Sequence, residues 1–306
     1  MKILVTGGAG YIGSEITKLL LKAGHEVVVL DNLSHGFVEN VPKGAELIVG
    51  DMRDRKKAKQ ALAGVNCVIH MAGLIVVPES VKDPIKYCDN NVLRTVSFLV
   101  AMNDAGCKKI IFSSSACVYG TSDKLPIKED APLRPDNPYG ATKASTEAFL
   151  QAFHACFGFD VTILRYFNPY GPGRMHEPIT HAIPNFIKAA LAQKPLPLYW
   201  KGEQIRDFIY IEDLAQAHID VLNLSGFNIF NLGSETGIKI KDVVDLIFEI
   251  LGYRVPIADL GERKGDVHAN YAASDRLKKA VGWQPKVDLR EGLRRTIDYY
   301  KSQPKS

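Results

Sequence analysis

The chain has no apolar run approaching the roughly 20 residues that a membrane-spanning helix requires. Its opening Lys2-Ile3-Leu4-Val5 is interrupted at once by Thr6-Gly7-Gly8, so it does not read as a signal peptide. The five cysteines (Cys67, Cys88, Cys107, Cys117 and Cys156) form no CxxC pair, and their number is odd. A disulfide framework is therefore not expected; free thiols in a cytoplasmic protein are. Cys117 has no histidine near it in sequence and does not read as a nucleophile. An excess of one charge is missing too. The net charge of +4 is spread along the chain, and the densest basic run, Arg53 to Lys59, is interrupted by Asp54. Neither nucleic acid nor a membrane is expected as a partner. His176 and His181 flank Glu177, but nothing completes a metal set, so no metal is expected. There is no internal repeat and no low-complexity segment.

What is present alternates. Residues 2–6 form a short apolar run before glycines, as a buried parallel strand does. Ile12, Ile16, Leu19 and Leu20 repeat at helical spacing over 11–23, and Gly24 stops that helix. Further strands are expected at 27–30, 47–49, 67–70, 110–112 and 161–164, with helices at 85–105 and 139–157. Strand–helix alternation of this kind predicts an α/β fold with a doubly wound parallel (Rossmann) sheet. Composition shifts at Pro169 to Gly173. Helices near 182–192, 241–251 and 289–301 then predict a smaller C-terminal α/β substrate-binding lobe. The expected division is a dinucleotide-binding domain over 1–168, to which the chain returns near 207–235, and a lobe over 169–306.

Gly8-x-Gly10-x-x-Gly13 follows the first strand and opens the first helix, with Gly7 adding a second glycine spacing. Such glycines permit a tight turn and let backbone N–H groups approach a pyrophosphate at a helix N-terminus. Asp31 ends the second strand, where a carboxylate binds a ribose 2′-hydroxyl and repels a 2′-phosphate. NAD is therefore favoured over NADP. Asp51, after the third strand, either accepts a hydrogen bond from an adenine amino group or caps the next helix. His70 ends a strand and is expected to satisfy backbone groups.

Tyr139 and Lys143 stand one turn apart on one helix face, downstream of Ser113-Ser114-Ser115. A tyrosine is a poor base near neutrality. An adjacent ammonium and a positively charged nicotinamide favour its phenolate. A phenolate at a dinucleotide site can take a hydroxyl proton as hydride leaves the same carbon, so the pattern reads as a redox enzyme acting on an alcohol.

In order, GGAGYIG, DNLSHG, GDMRD, HMAG, SSSACVYG, PYGATK, RYFNPYG and RDFIYIEDLA resemble the extended short-chain dehydrogenase/reductase family over residues 1 to about 295. Within it, the NAD-dependent epimerases and dehydratases of nucleotide sugars are most similar. The resemblance implies Tyr139 as catalytic base, Lys143 on the nicotinamide ribose and Ser115 on the sugar hydroxyl. It implies NAD held by Gly7, Gly10, Tyr11, Ile12, Gly13, Asp31, Asn32, Asp51, Met52, Met71, Ala72, Gly73, Asn90, Ser113, Tyr139, Lys143 and Tyr166. A UDP-sugar substrate would meet Ser115, Asn168, Tyr199, Arg206, Arg263, Asp266 and Asn270. Tyr199 alternatively packs in the core, and either arginine alternatively forms a surface ion pair.

Dehydratases of the family carry Asp-Glu after the hydroxyl residue, where this chain has Ala116-Cys117. Neither can protonate a leaving hydroxyl, which disfavours 4,6-dehydration; the resemblance implies reversible inversion at carbon 4 of a UDP-hexose, galactose to glucose. Two departures bear on it. Ile75 stands where many members have lysine, which removes a cofactor contact. Asn270 stands where a bulky tyrosine often narrows the sugar pocket, which leaves room for an N-acetyl group. The alternatives are an epimerase or decarboxylase for UDP-glucuronate or UDP-N-acetylglucosamine, an L-threonine dehydrogenase, and a non-catalytic sensor of NAD or nucleotide sugar. A homodimer is also implied, pairing the helices near 85–105 and 139–157, although Phe98, Phe149 and Phe153 could equally pack within one chain.

Overall fold

The structure, a computed structural model, describes residues 1–175, 181–262 and 267–303. The first half runs β1 (Lys2–Thr6), α1 (Tyr11–Lys22), β2 (Glu26–Asp31), β3 (Glu46–Val49), α2 (Arg55–Ala61) and β4 (Cys67–His70). It continues through α3 (Val77–Lys82), α4 (Pro84–Cys88), α5 (Arg94–Asp104), β5 (Lys109–Ser115), α6 (Pro138–Phe157) and β6 (Asp160–Tyr166). After these come β7 (Asn168–Tyr170), α7 (Ala182–Leu191), β8 (Leu196–Leu198), β9 (Ile205–Tyr210), α8 (Ile211–Asp220) and β10 (Phe227–Leu232). The chain ends with β11 (Gly237–Lys239), α9 (Ile240–Leu251), β12 (Ile257–Asp259), β13 (Ala269–Asn270), α10 (Asp275–Val281) and α11 (Leu289–Ser302).

Seven strands form one sheet in the order β10-β6-β5-β4-β1-β2-β3, and every pair is parallel. Because strand side chains alternate, the sheet is apolar on both faces. Leu4, Val28, Val68 and Ile110 pack under Phe98 and Leu99 of α5 and Leu150 and Phe153 of α6. Ile3, Val5, Val27 and Ile69 pack on the other face, under Ile16 and Leu20 of α1 and Leu214 and Ala215 of α8. Phe98 and Phe153 thus belong to the core of the single chain, whereas Phe149 is 41% exposed.

The seventh strand, β10, comes from the chain beyond the shift in composition. Its sequence Phe-Asn-Ile-Phe-Asn-Leu mixes asparagines with apolar residues, so its pattern alone is a weak strand signal. A third core holds the second lobe together, with Ile183, Phe186, Leu198, Phe208, Val243, Ile247 and Leu293 among its members. There, β11 and β13 flank β9, and β7 also pairs with it. Among the described residues no helix is long and apolar enough to cross a membrane.

Two local features matter for the site. Helix α6 starts at an Asn137 cap whose Oδ1 accepts from the Gly140 amide at 2.9 Å, has Pro138 in its first turn, and ends at left-handed Gly158. The helix expected over 85–105 is interrupted by a π-helical turn at Asp89–Leu93. The side chain of Asn91 in that turn bonds both backbone groups of Leu74, at 2.8 and 2.9 Å, and the Thr142 hydroxyl of α6 at 3.1 Å. This ties the segment after β4 to the helix that carries Tyr139.

Candidate active site

The turn after β1 is packed too tightly for side chains. Gly7 has φ +71°, and a Cβ there would lie 2.7 Å from the Ala72 amide nitrogen. A Cβ on Gly13 would lie 2.3 Å from the Gly7 carbonyl oxygen. Gly10 caps α1 without any side-chain hydrogen bond to the first turn, which leaves that turn's dipole end open to an anion. The groove above the turn is lined by Gly7, Gly10, Tyr11, Ile12, Gly13, Asp31, Asn32, Asp51, Met52, Met71, Ala72, Gly73 and Asn90. Asp31 accepts from the Ala9 and Leu33 amides at 3.0 and 2.8 Å, which fixes its carboxylate and leaves acceptor capacity for a diol. The cradle and carboxylate fit a dinucleotide.

Sequence reasoning missed Arg94, His35, Glu79 and His181, which also line the groove. Arg94 pairs with Asp51 and, at 3.2 Å, with Asp89. It comes from α5, far from Asp51 in sequence, so no motif links the two. The cap of the helix after β3 is Asp54, which accepts from the Lys56 and Lys57 amides, so the capping alternative for Asp51 does not hold. Ile75 lines the groove and is 37% exposed.

Beside the groove, β5 and the start of α6 hold the reacting groups. The Tyr139 amide donates to Ser80 Oγ at 3.1 Å, and its ring packs with Leu74 and Tyr87. Lys143 Nζ donates to the Ser113 carbonyl at 2.6 Å, and the Ser113 hydroxyl donates to the His70 carbonyl at 3.0 Å. Gly73 connects these groups to the groove, since a Cβ there would lie 3.7 Å from Lys143 Nζ. The Ser115 side chain lies beside the Tyr139 phenol, and its Oγ accepts from the Cys117 amide at 3.2 Å.

Burial pushes the Tyr139 phenol well above its ordinary value, Cys117 adds to that push, and Ser115 opposes it. Lys143 lies 6.0 Å from the Tyr139 ring centre and spends a hydrogen bond on Ser113, so in the protein alone desolvation outweighs the expected lowering by its ammonium. Burial also pushes Lys143 down to about 8, against Glu147 and Cys117. His70 does not bond backbone groups through its ring. Its Nδ1 meets Thr6 Oγ1 at 2.7 Å and its Nε2 meets Thr95 Oγ1 at 2.9 Å, because the ring is enclosed between Phe98 and Phe112. Burial and the Lys143 charge hold it near about 3, hence neutral. Tyr166, opposite Ser115 in the sheet, turns its hydroxyl to His218 Nε2 at 2.5 Å.

The second lobe gathers a further polar set. Arg206 on β9 pairs with Asn270 on β13 and Ile238 on β11, while Asn168 Nδ2 donates to the Asp207 carbonyl at 2.9 Å. The Asn270 Oδ1 is buried and has no hydrogen-bond partner among the described residues. Tyr199 is half-buried before the turn Trp200–Gly202, where Trp200 and Lys201 both have positive φ. Arg263 and Asp266, like His176, lie outside the described residues. Sequence reasoning also passed over Asp207. Fully buried, it accepts from the Ser234 amide and hydroxyl, the Glu235 amide and the Ala272 amide at 2.6–3.1 Å, and so ties the loop after β10 to β9.

The model of the NAD-dependent epimerase/dehydratase family matches residues 3–233. The chain is 40% identical to the UDP-glucose 4-epimerase of Corynebacterium glutamicum, over 95% of this chain and 93% of that one. It resembles the crystal structure of the Thermus thermophilus UDP-glucose 4-epimerase in complex with NAD, with TM-score 0.92, 34% identity and 99% coverage of both chains. It also resembles the UDP-N-acetylglucosamine 4-epimerase of Methanobrevibacter ruminantium in complex with UDP-N-acetylmuramic acid, with TM-score 0.93, 34% identity and 99% coverage of both. The packing at the glycine turn makes a direct prediction. Gly13→Ala is expected to weaken NAD binding about 5- to 150-fold in calorimetry, because overpacking a close contact costs about 1–3 kcal/mol. Unchanged affinity would contradict the role given to the turn.

Proposed function

The chain belongs to the NAD-dependent epimerase/dehydratase family, and from that premise we propose that it interconverts UDP-galactose and UDP-glucose by inverting carbon 4. The observation that carries the proposal is the buried Tyr139 phenol beside half-buried Ser115 next to the dinucleotide groove, with Ala116 and Cys117 where dehydration needs acids. In this reading the glycine turn, Asp31 and Asp51 hold NAD, with Asn32, Met52, Met71, Ala72, Gly73 and Asn90 along the walls. When bound, NAD supplies a hydride acceptor and a positive ring charge, and is regenerated within each turnover.

Tyr139 takes the proton of the sugar 4-hydroxyl and later returns it to that same oxygen after the 4-keto sugar has turned over. Because burial keeps the phenol protonated, positive charge at the site must draw it toward phenolate, and Lys143 contributes that charge. Ser115 orients the hydroxyl. The 4-keto sugar has to turn over before reduction, so the enzyme must grip the nucleotide firmly and the sugar loosely. Arg206, with its planar fork of donors, suits the diphosphate, and Asn168 and Tyr199 complete the grip.

Purified protein given UDP-galactose and catalytic NAD, without added reductant, is expected to form UDP-glucose, detected by chromatography. Tyr139→Phe is expected to lower turnover at least about 100-fold while UDP and NAD still bind, the usual size of a lost general base. A wild-type protein that binds both and converts nothing would instead be a sensor.

A broader substrate range is favoured by Asn270, whose side chain is short and whose Oδ1 is a buried acceptor without a partner among the described residues. We expect UDP-N-acetylgalactosamine also to be epimerised, and Asn270→Tyr to suppress that activity at least about tenfold while sparing UDP-galactose. Inertness of the wild type toward N-acetylated sugars would rule this out.

We further infer a homodimer. Ile85 on α4, Leu93 in the π turn and Val100 on α5 recur about every two helical turns and are 80%, 56% and 47% exposed, and on α6 Phe149 is exposed too. In light scattering the protein is expected at twice its 33.8 kDa chain mass, and Ile85→Glu with Phe149→Glu at the monomer mass. A monomeric wild type would contradict this.

A further inference from the structure

Among the buried carboxylates outside the reacting set, one shares a helix with Tyr139 and Lys143. Glu147 sits one turn beyond Lys143 on the same face of α6 and is 5% exposed. Its Oε1 accepts from Ser114 Oγ at 2.5 Å and from Arg165 Nε at 3.0 Å, and its Oε2 accepts from Arg165 Nη2 at 2.6 Å. Arg165 lies directly across the sheet from Ser114, and its Nη1 donates to the Tyr119 hydroxyl at 2.8 Å and the Glu129 carbonyl at 3.0 Å. Ser114 stands between Ser113, whose carbonyl takes Lys143, and Ser115, which lies beside Tyr139. Helix α6 is therefore fastened to consecutive residues of β5: Lys143 to Ser113, and Glu147 to Ser114. Stability alone is a poor reason for such a pair, because well-packed apolar residues often replace a buried ion pair without loss.

We propose that Glu147 is a positioning residue for the reaction, holding Lys143 and Ser115 in register with Tyr139 and supplying the negative charge that faces the Lys143 ammonium. The inference rests on the reading of Tyr139, Lys143 and Ser115 as the reacting set.

The groups that face Lys143 come from several elements, and the segment after β4 brings only Gly73. From α6 come Tyr139 and Glu147, and from β5 the Ser113 carbonyl and the Phe112 ring, 4.8 Å from Nζ. From the short turn after β5 comes Cys117, from β4 the neutral His70, and from β6 Arg165, already bound to Glu147. Burial pulls Lys143 down to about 8, and Glu147 leads the opposition to it. Without that carboxylate, burial and the Arg165 charge act together, so the ammonium loses its proton at lower pH.

The test uses Glu147→Gln, Glu147→Asp, and the double variant Glu147→Gln/Arg165→Gln, which strands neither charge. Two readouts are followed from neutral to alkaline pH: NAD affinity by calorimetry, and UDP-galactose conversion. In Glu147→Gln the alkaline limb of both is expected about one pH unit lower than in the wild type, the size of a lost charge partner, and in the double variant, which loses the Arg165 charge as well, it moves the same way by less. Glu147→Asp, which keeps the charge, is expected to keep the wild-type limb. An unmoved limb with only a lowered Tm would overturn the proposal, as would collapse of the fold in both glutamine variants. If the NAD limb shifts but the wild type converts no UDP-galactose, the reaction assignment falls and the role of Glu147 stands.

Discussion

Parallel strands need a crossover between each pair, so all seven strands of this sheet end on the same edge. That constraint gathers residues far apart in sequence: Gly7 after β1, Asp31 at the end of β2, Asp51 after β3, Gly73 after β4, Ser115 at the end of β5 and Asn168 after β6. It also buries polar groups at the strand ends, and those groups must find partners there. Many of the bonds near the site are such partnerships. Asp31 takes the Ala9 and Leu33 amides, Ser113 takes Lys143 and gives to His70, and Asn91 takes both backbone groups of Leu74.

The same burial sets the electrostatics. Taken out of water, Tyr139 clings to its proton and Lys143 releases its own more readily. Both shifts oppose the proposed chemistry, which needs a phenolate beside an ammonium. The work of the surrounding charges is to offset that cost, and the proposed roles of Lys143 and Glu147 divide it. One supplies the positive charge, and the other stabilises it.

Much of this was legible in the sequence, for identifiable reasons. Strands buried on both faces read as plain apolar runs, and six of the seven could be placed from such runs. β10 was harder, because Asn228 and Asn231 break its pattern, and Asn231 is there to bond Tyr119, Ile127 and Ala273. The glycine turn was legible because close packing leaves glycine little alternative at Gly7 and Gly13. Partnerships across the fold left no trace in spacing. Arg94 with Asp51, Glu147 with Arg165, and Asp207 with the Ser234 loop each join segments that only the tertiary structure brings together. The π turn at Asp89–Leu93 was hidden for a related reason: its cause is the side-chain bonding of Asn91, not a helix-breaking residue.

The central claim is that one carbon of the sugar is oxidised and then reduced again without exchange with water. UDP-galactose deuterated at carbon 4 tests it directly, with the product examined by NMR. The account predicts UDP-glucose that keeps its deuterium at carbon 4. UDP-glucose carrying solvent hydrogen at that carbon would contradict it.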